Sequence, residues 1–168
     1  EISLGLVGSE MCIRDRNNVY REAFVFDCAL ADRKFYLPKD GSMKLQFFHV
    51  KDLCGLMEVI IKNKPDEHIL NVGNTEAVSI KEWVTKCYES LGKTPTFVNV
   101  TEAIEQRKYF SFYNYEYYLD VTRQSKIYPE TISLEDGIKD AAKWYLEHKT
   151  DVNKKPYFEY IDSNLVER

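Results

Sequence analysis

The stretch Leu45-Gln46-Phe47-Phe48-His49-Val50-Lys51-Asp52-Leu53-Cys54-Gly55-Leu56 constrains the fold more than any other. Residues 45–50 are rich in aromatic and β-branched side chains and read as a short buried strand. The chain then passes without a loop into Leu53, Leu56, Met57, Ile60 and Ile61, apolar at helical spacing, and Pro65 forbids continuation much past residue 63. A strand feeding directly into a helix predicts an α/β fold. The pattern recurs downstream, where residues 68–72 read as a compact apolar strand and Gly73-Asn74 as a turn. Ser79-x-x-Glu82 is then a capping box opening a helix with Ile80, Trp83, Val84, Cys87, Tyr88 and Leu91 on one face and Gly92 as its stop.

The other elements come from the same signals. Residues 19–32 predict a helix capped by Asn17-Asn18, with Arg21, Glu22, Asp27 and Arg33 facing solvent, followed by a strand over 35–37 and a turn at Asp40-Gly41. A strand is expected over 96–100, short helices over 101–107 and 120–127, and a last main helix opened by Ser133-x-x-Asp136. The tail from Thr150 is polar apart from Tyr157, Phe158, Tyr160 and Ile161, and is expected to dock on the body. Residues 1–15 differ in character from the remainder of the chain and read as a non-native artefact; Leu4-Gly5-Leu6-Val7-Gly8 has too few glycines for a dinucleotide-binding turn.

Composition excludes some classes. The 168 residues suffice for one domain with a core. A net charge of −4 with both signs well mixed argues against nucleic acid as the main partner. Cys12, Cys28, Cys54 and Cys87 are too scattered for a zinc site or a disulfide framework, so no metal is expected. No apolar run approaches the roughly 20 residues of a membrane span, and the cytoplasm is the expected compartment.

His49-Val50-x-Asp52-Leu53 at a strand-to-helix junction, then Asn71-Val72-Gly73 ending a strand and a helix opening at Ser79, resembles the C-terminal half of the extended short-chain dehydrogenases/reductases. Within that group it is most similar to the NAD-dependent epimerase/dehydratase family acting on nucleotide sugars. The resemblance covers about residues 17–148 and rests on the order and spacing of its motifs. It implies the last elements of a Rossmann-type fold plus the small substrate-binding lobe, with the glycine-rich NAD or NADP motif and the catalytic Tyr-x-x-x-Lys pair upstream of residue 17. The whole enzyme would be a homodimer and this chain alone inactive. A non-catalytic binding module of the same fold, for RNA or a protein, is the alternative.

The resemblance also assigns residues. Asn18, at a helix start, matches an Asn that bonds the nucleotide diphosphate, as helix N-termini suit phosphates. Phe35, Tyr36 and Leu37 match the strand bordering the base, with plain core packing as the alternative, and Arg107 the diphosphate-binding Arg, with a solvated surface charge as the alternative. Where such enzymes commonly carry a second Arg, this chain has Leu45-Gln46, and Gln46 cannot supply a bidentate fork. His49 and Asp52 are read as structural, orienting the junction and capping the helix. Tyr145-Leu-Glu-His-Lys149 repeats the catalytic spacing but falls too late in the chain, so no catalytic residue is expected here.

Overall fold

The computed structural model describes residues 20–67, 69–101, 104–116 and 118–166. The chain runs α1 (Glu22–Leu30), β1 (Phe35–Pro38), β2 (Lys44–Leu45), α2 (Val50–Asn63), β3 (Val78–Ser79), α3 (Ile80–Glu89) and β4 (Phe97–Val100). A 3₁₀ turn (Gln106–Lys108), α4 (Thr122–Ile127), α5 (Leu134–His148) and α6 (Tyr157–Asn164) complete it. β1 and β4 pair in parallel, Phe35 opposite Phe97 and Pro38 opposite Val100, and β2 and β3 pair antiparallel.

The core gathers around α1, which packs on α3 and α5 and is buried on nearly every side. Such a helix belongs inside because its residues Ala23 to Ala29 offer almost no polar face. From α3, the capping box delivers Ile80, Trp83, Val84, Cys87 and Tyr88, all buried, with the Ser79 hydroxyl accepting from the Glu82 N–H at 3.1 Å. Trp83 stacks on Phe47 with centroids 5.4 Å apart, and Phe112 meets both rings edge-on. Each such pair adds about 0.5–1.5 kcal/mol beyond its buried area. On the opposite side Tyr157 of α6 stacks on Tyr20 and meets Phe24 edge-on.

Several expectations are corrected. The strand expected over 45–50 pairs only at Lys44–Leu45; residues 46–49 have no ladder partner, and Val50 already belongs to α2. Residues 69–72 form no strand either, since no described strand lies beside them to complete a ladder; His68 lies outside the described residues. The first helix covers 22–30 rather than 19–32, and only a 3₁₀ turn stands where a helix over 101–107 was expected. Arg21 and Glu22 are buried and Asp27 is half-buried, because α3, α5, α6 and the 109–112 loop surround a helix that periodicity placed at the surface.

Helix α2 is the exception to this burial. It buries only Asp52 and Leu56, while Met57 and Ile61 are 43% and 70% exposed, and Ile69, beyond its end, is 78% exposed. Apolar surface held open in this way recruits apolar probes. The 168-residue chain is therefore expected to enhance the fluorescence of a hydrophobic dye, and Ile61→Lys with Ile69→Lys to weaken that enhancement; an unchanged signal in the double variant would place the apolar surface elsewhere.

Candidate functional site

The strand-to-helix junction is built by His49. It is the N-cap of α2, its Nδ1 accepting from the Lys51 N–H at 3.2 Å, so Nε2 carries the proton and faces Asp140 Oδ2 at 3.4 Å. Asp140 also pairs with Lys51 at 2.9 Å. Burial holds the imidazole below its ordinary pKa, with Asp140 pulling the other way. Asp52 does not cap the helix: its carboxylate accepts from the Ile132 N–H at 2.9 Å and the Tyr128 hydroxyl at 3.4 Å, tying α2 to the segment ahead of α5. Both residues are structural in this geometry.

Beyond the junction, irregular backbone is satisfied by carboxamide side chains. Gln46 Nε2 donates to the carbonyls of Asn74 (2.8 Å) and Leu119 (3.1 Å), and its Oε1 accepts from the Leu119 N–H at 2.8 Å. Gln124, 1% exposed, closes a two-bond ring with the N–H and carbonyl of Gly73. Asn71 donates to the Asp120 carbonyl and Asn74 to that of Ile132. Gly73 is required for this arrangement, because a Cβ there would lie 2.7 Å from Gln46 Cδ. Gln46 thus spends its amide on backbone.

The 106–113 loop meets the start of α1. Ser111 donates its hydroxyl to the Tyr20 carbonyl, Arg21 lies over the Phe112 ring at 5.3 Å, and Arg107 donates to the Ser111 carbonyl while its guanidinium covers the Tyr113 ring at 4.6 Å. The Gln106 amide donates to the carbonyls of Phe112 and Tyr113 and sets the loop's shape. Arg107 therefore stands beside the entry to α1. Asn18, two residues before Tyr20, lies outside the described residues. Of the strand residues singled out, Phe35 and Leu37 fill the core at 1% and 0% exposure, the core-packing alternative for these two positions, and Tyr36 alone keeps surface.

Tyr145 and Lys149 do not form a catalytic pair. The Tyr145 hydroxyl donates to Asp27 Oδ1 at 2.6 Å, and burial followed by that carboxylate drives its pKa far up. A phenol so held stays protonated, the opposite of the tyrosinate that hydride chemistry needs. Asp27 also accepts from the Tyr20 hydroxyl and pairs with Lys154 at 2.8 Å, which fastens the tail to α1. No group of three or more His, Cys, Asp and Glu placed to hold a metal occurs among the described residues.

Solved structures share this arrangement of elements. The chain superposes on a dTDP-glucose 4,6-dehydratase from Bacillus anthracis in complex with NAD (18% identity, TM-score 0.58, covering 78% of this chain and 40% of that one). It also matches a UDP-N-acetylglucosamine 4-epimerase from Bacillus cereus (13%, 0.59, 76% and 41%). The corresponding enzyme from Methanobrevibacter ruminantium, in complex with UDP-N-acetylmuramic acid, matches too (15%, 0.59, 80% and 42%). This is the fold of the C-terminal part of the extended, Rossmann-type epimerases and dehydratases. The chain spans about 40% of the length of the enzymes it matches. No family model matches the sequence, and the search of curated proteins found no significant match.

Sequence reasoning missed the carboxamides Asn71, Asn74, Gln106 and Gln124. Asn71 and Asn74 bracket Gly73 in the sequence and were legible on that ground, whereas Gln106 and Gln124 stand among charged and polar neighbours that gave no sign of their burial. Two outcomes are expected. The unfolded chain takes up the His49 proton first, so the contribution of this cap is full above about pH 6.5 and is lost as the pH falls through the lower folded value. Urea titrations from pH 7.5 to 5 should show this loss in the native protein and less of it in His49→Asn, whose side-chain oxygen caps at any pH. Gly73→Ala should cost about 1–3 kcal/mol by expelling the Gln46 amide from its partners, measured in the same titration.

Proposed function

We propose that the chain is the substrate-binding portion of an NAD(P)-dependent nucleotide-sugar epimerase or dehydratase, with the hydride chemistry carried by residues outside these 168. The observation that carries the reading is the convergence of Arg107, on its shaped loop, with the start of α1 in a fold of this class. A fixed guanidinium beside a helix entry suits a diphosphate, through charge-assisted hydrogen bonds and the helix dipole together. In this reading Asn18 and Arg107 hold the diphosphate, Tyr36 borders the nucleotide, and Gln46 acts through the backbone it binds. His49 and Asp52 keep the junction in register. NAD or NADP, when bound, would accept and return a hydride at a sugar carbon; this chain's own residues bind and orient the sugar nucleotide.

The same reading makes the complete enzyme a homodimer of the cytoplasm that takes a small-molecule substrate and no nucleic acid. No helix among the described residues is long and apolar enough to cross a membrane. Alone, the chain is expected to bind UDP-glucose or dTDP-glucose without turning either over. By titration calorimetry, Arg107→Ala should weaken that binding about tenfold or more, since one charge-assisted contact is worth roughly 1.5–3 kcal/mol. Arg107→Lys should recover only part of it. Equal affinity in native protein and Arg107→Ala would remove Arg107 from the site, and absence of nucleotide-sugar binding would contradict the function.

A further inference from the structure

The aromatic run Tyr109-Phe110-Ser111-Phe112-Tyr113 carries one hydroxyl residue at its centre. Phe110 and Phe112 enter the core on either side of Ser111, which is itself only 2% exposed. A hydroxyl buried among aromatic rings costs stability unless it finds a partner. Here the partner is the Tyr20 carbonyl, at the entry to α1. Ser111 also makes a second bond of opposite sense, its own carbonyl accepting from Arg107 Nη1. The guanidinium is thus joined to the entry of α1 through a single residue. Among the described residues the fork gives no other hydrogen bond, which leaves its remaining N–H groups for a ligand.

Both ends of this relay are fixed. Tyr20 is held by its ring, stacked on Tyr157 with centroids 5.8 Å apart and edge-on to Phe24, and by its hydroxyl, which donates to Asp27. On the loop side, Gln106 Nε2 donates to the carbonyls of Phe112 and Tyr113 at 3.0 and 2.9 Å, and the Phe110 N–H closes on the Gln106 carbonyl at 2.8 Å. The loop is therefore tied to itself and the helix entry is tied to the core. The Ser111–Tyr20 hydrogen bond registers one on the other, and hydrogen bonds are directional where the apolar packing around them is not.

We propose that Ser111 is a positioning residue of the nucleotide-sugar site: its hydroxyl registers the Arg107 loop on the entry to α1, and its carbonyl aims the guanidinium at an anionic group bound there. A long side chain with many rotamers binds an anion most tightly when its fork is already aimed, because the ordering cost is met before the ligand arrives. A displacement of the cation by a fraction of the loop's width would cost affinity even with every binding group still present. The inference rests on the proposed role of Arg107 for the identity of the ligand, while the tether on the guanidinium is measurable with no ligand at all.

The test has two parts. NMR of the native 168-residue chain with isotope-labelled arginine should show separate Nη signals for Arg107, the mark of restricted rotation about the Nε–Cζ bond. Averaged signals would overturn the proposal without recourse to any variant. Calorimetric titration with UDP-glucose then tests the registration. Ser111→Ala is expected to weaken binding about tenfold, and Ser111→Thr, which keeps the hydroxyl, to retain most of the affinity. In an Arg107→Ala background Ser111→Ala should have little further effect, because the hydroxyl acts through the guanidinium. Ile161→Val, which loosens the core through α6 and leaves the relay intact, should keep native affinity and so separates positioning from general loss of stability. Native affinity in Ser111→Ala, or an equal loss with and without the Arg107 side chain, would overturn the proposal. UDP-glucose binding that depends on Arg107 and ignores Ser111 would remove the positioning role and leave the proposed function standing, whereas no UDP-glucose binding by the native chain would overturn both.

Discussion

Much of this structure depends on how irregular backbone is satisfied without strands. Residues 71–74 face Asp120, Gln124 and Ile132 with no β-ladder between them, and a buried N–H or carbonyl left unpaired costs about as much as a lost hydrogen bond. Four carboxamides answer that demand. Gln124 completes both hydrogen bonds of Gly73, Gln46 does the same for Leu119, and Asn71 and Asn74 each take a carbonyl across the gap. An amide can imitate a neighbouring strand because it carries a donor and an acceptor in one plane. The missing side chain at Gly73 is part of the same device.

This seam joins the two halves of the candidate site. On one side lies the core that α1 organises, with Tyr20 and Arg21 at its entry facing Ser111 and Phe112. On the other lies α2, set by the His49 cap and held to the segment ahead of α5 by Asp52. The loop that Gln106 shapes carries Arg107, whose guanidinium is tethered to the Ser111 carbonyl. The resemblance to epimerases and dehydratases extends to the fold, and Gln46 spends its amide on the backbone of Asn74 and Leu119.

What the sequence made legible were features written in local signals. The capping boxes at Ser79 and Ser133 opened helices where expected, and the strands near 35–37 and 96–100 formed, because capping geometry and runs of aromatic and β-branched residues are local properties. The strand readings over 45–50 and 68–72 failed in extent, since a ladder needs a partner that composition cannot supply. The burial of α1 was hidden for a related reason. Arg21 and Glu22 look like a solvent face until the 109–112 loop and α6 close over the helix. Of the residues singled out, Arg107 covers the Tyr113 ring, and Phe35 and Leu37 lie in the core because alternate residues of a strand face opposite ways.

Native-state hydrogen exchange at the Gly73 and Leu119 amides tests this account most directly. Both donate only to side-chain amides, Gly73 to Gln124 and Leu119 to Gln46, each at 2.8 Å. If the seam holds the site together, their protection should approach that of the Lys39 amide, which closes on Val100 at the end of the β1–β4 pair. Exchange at both positions as fast as in an open loop would show that the carboxamides do not hold these segments, and the account of the seam would fall with them.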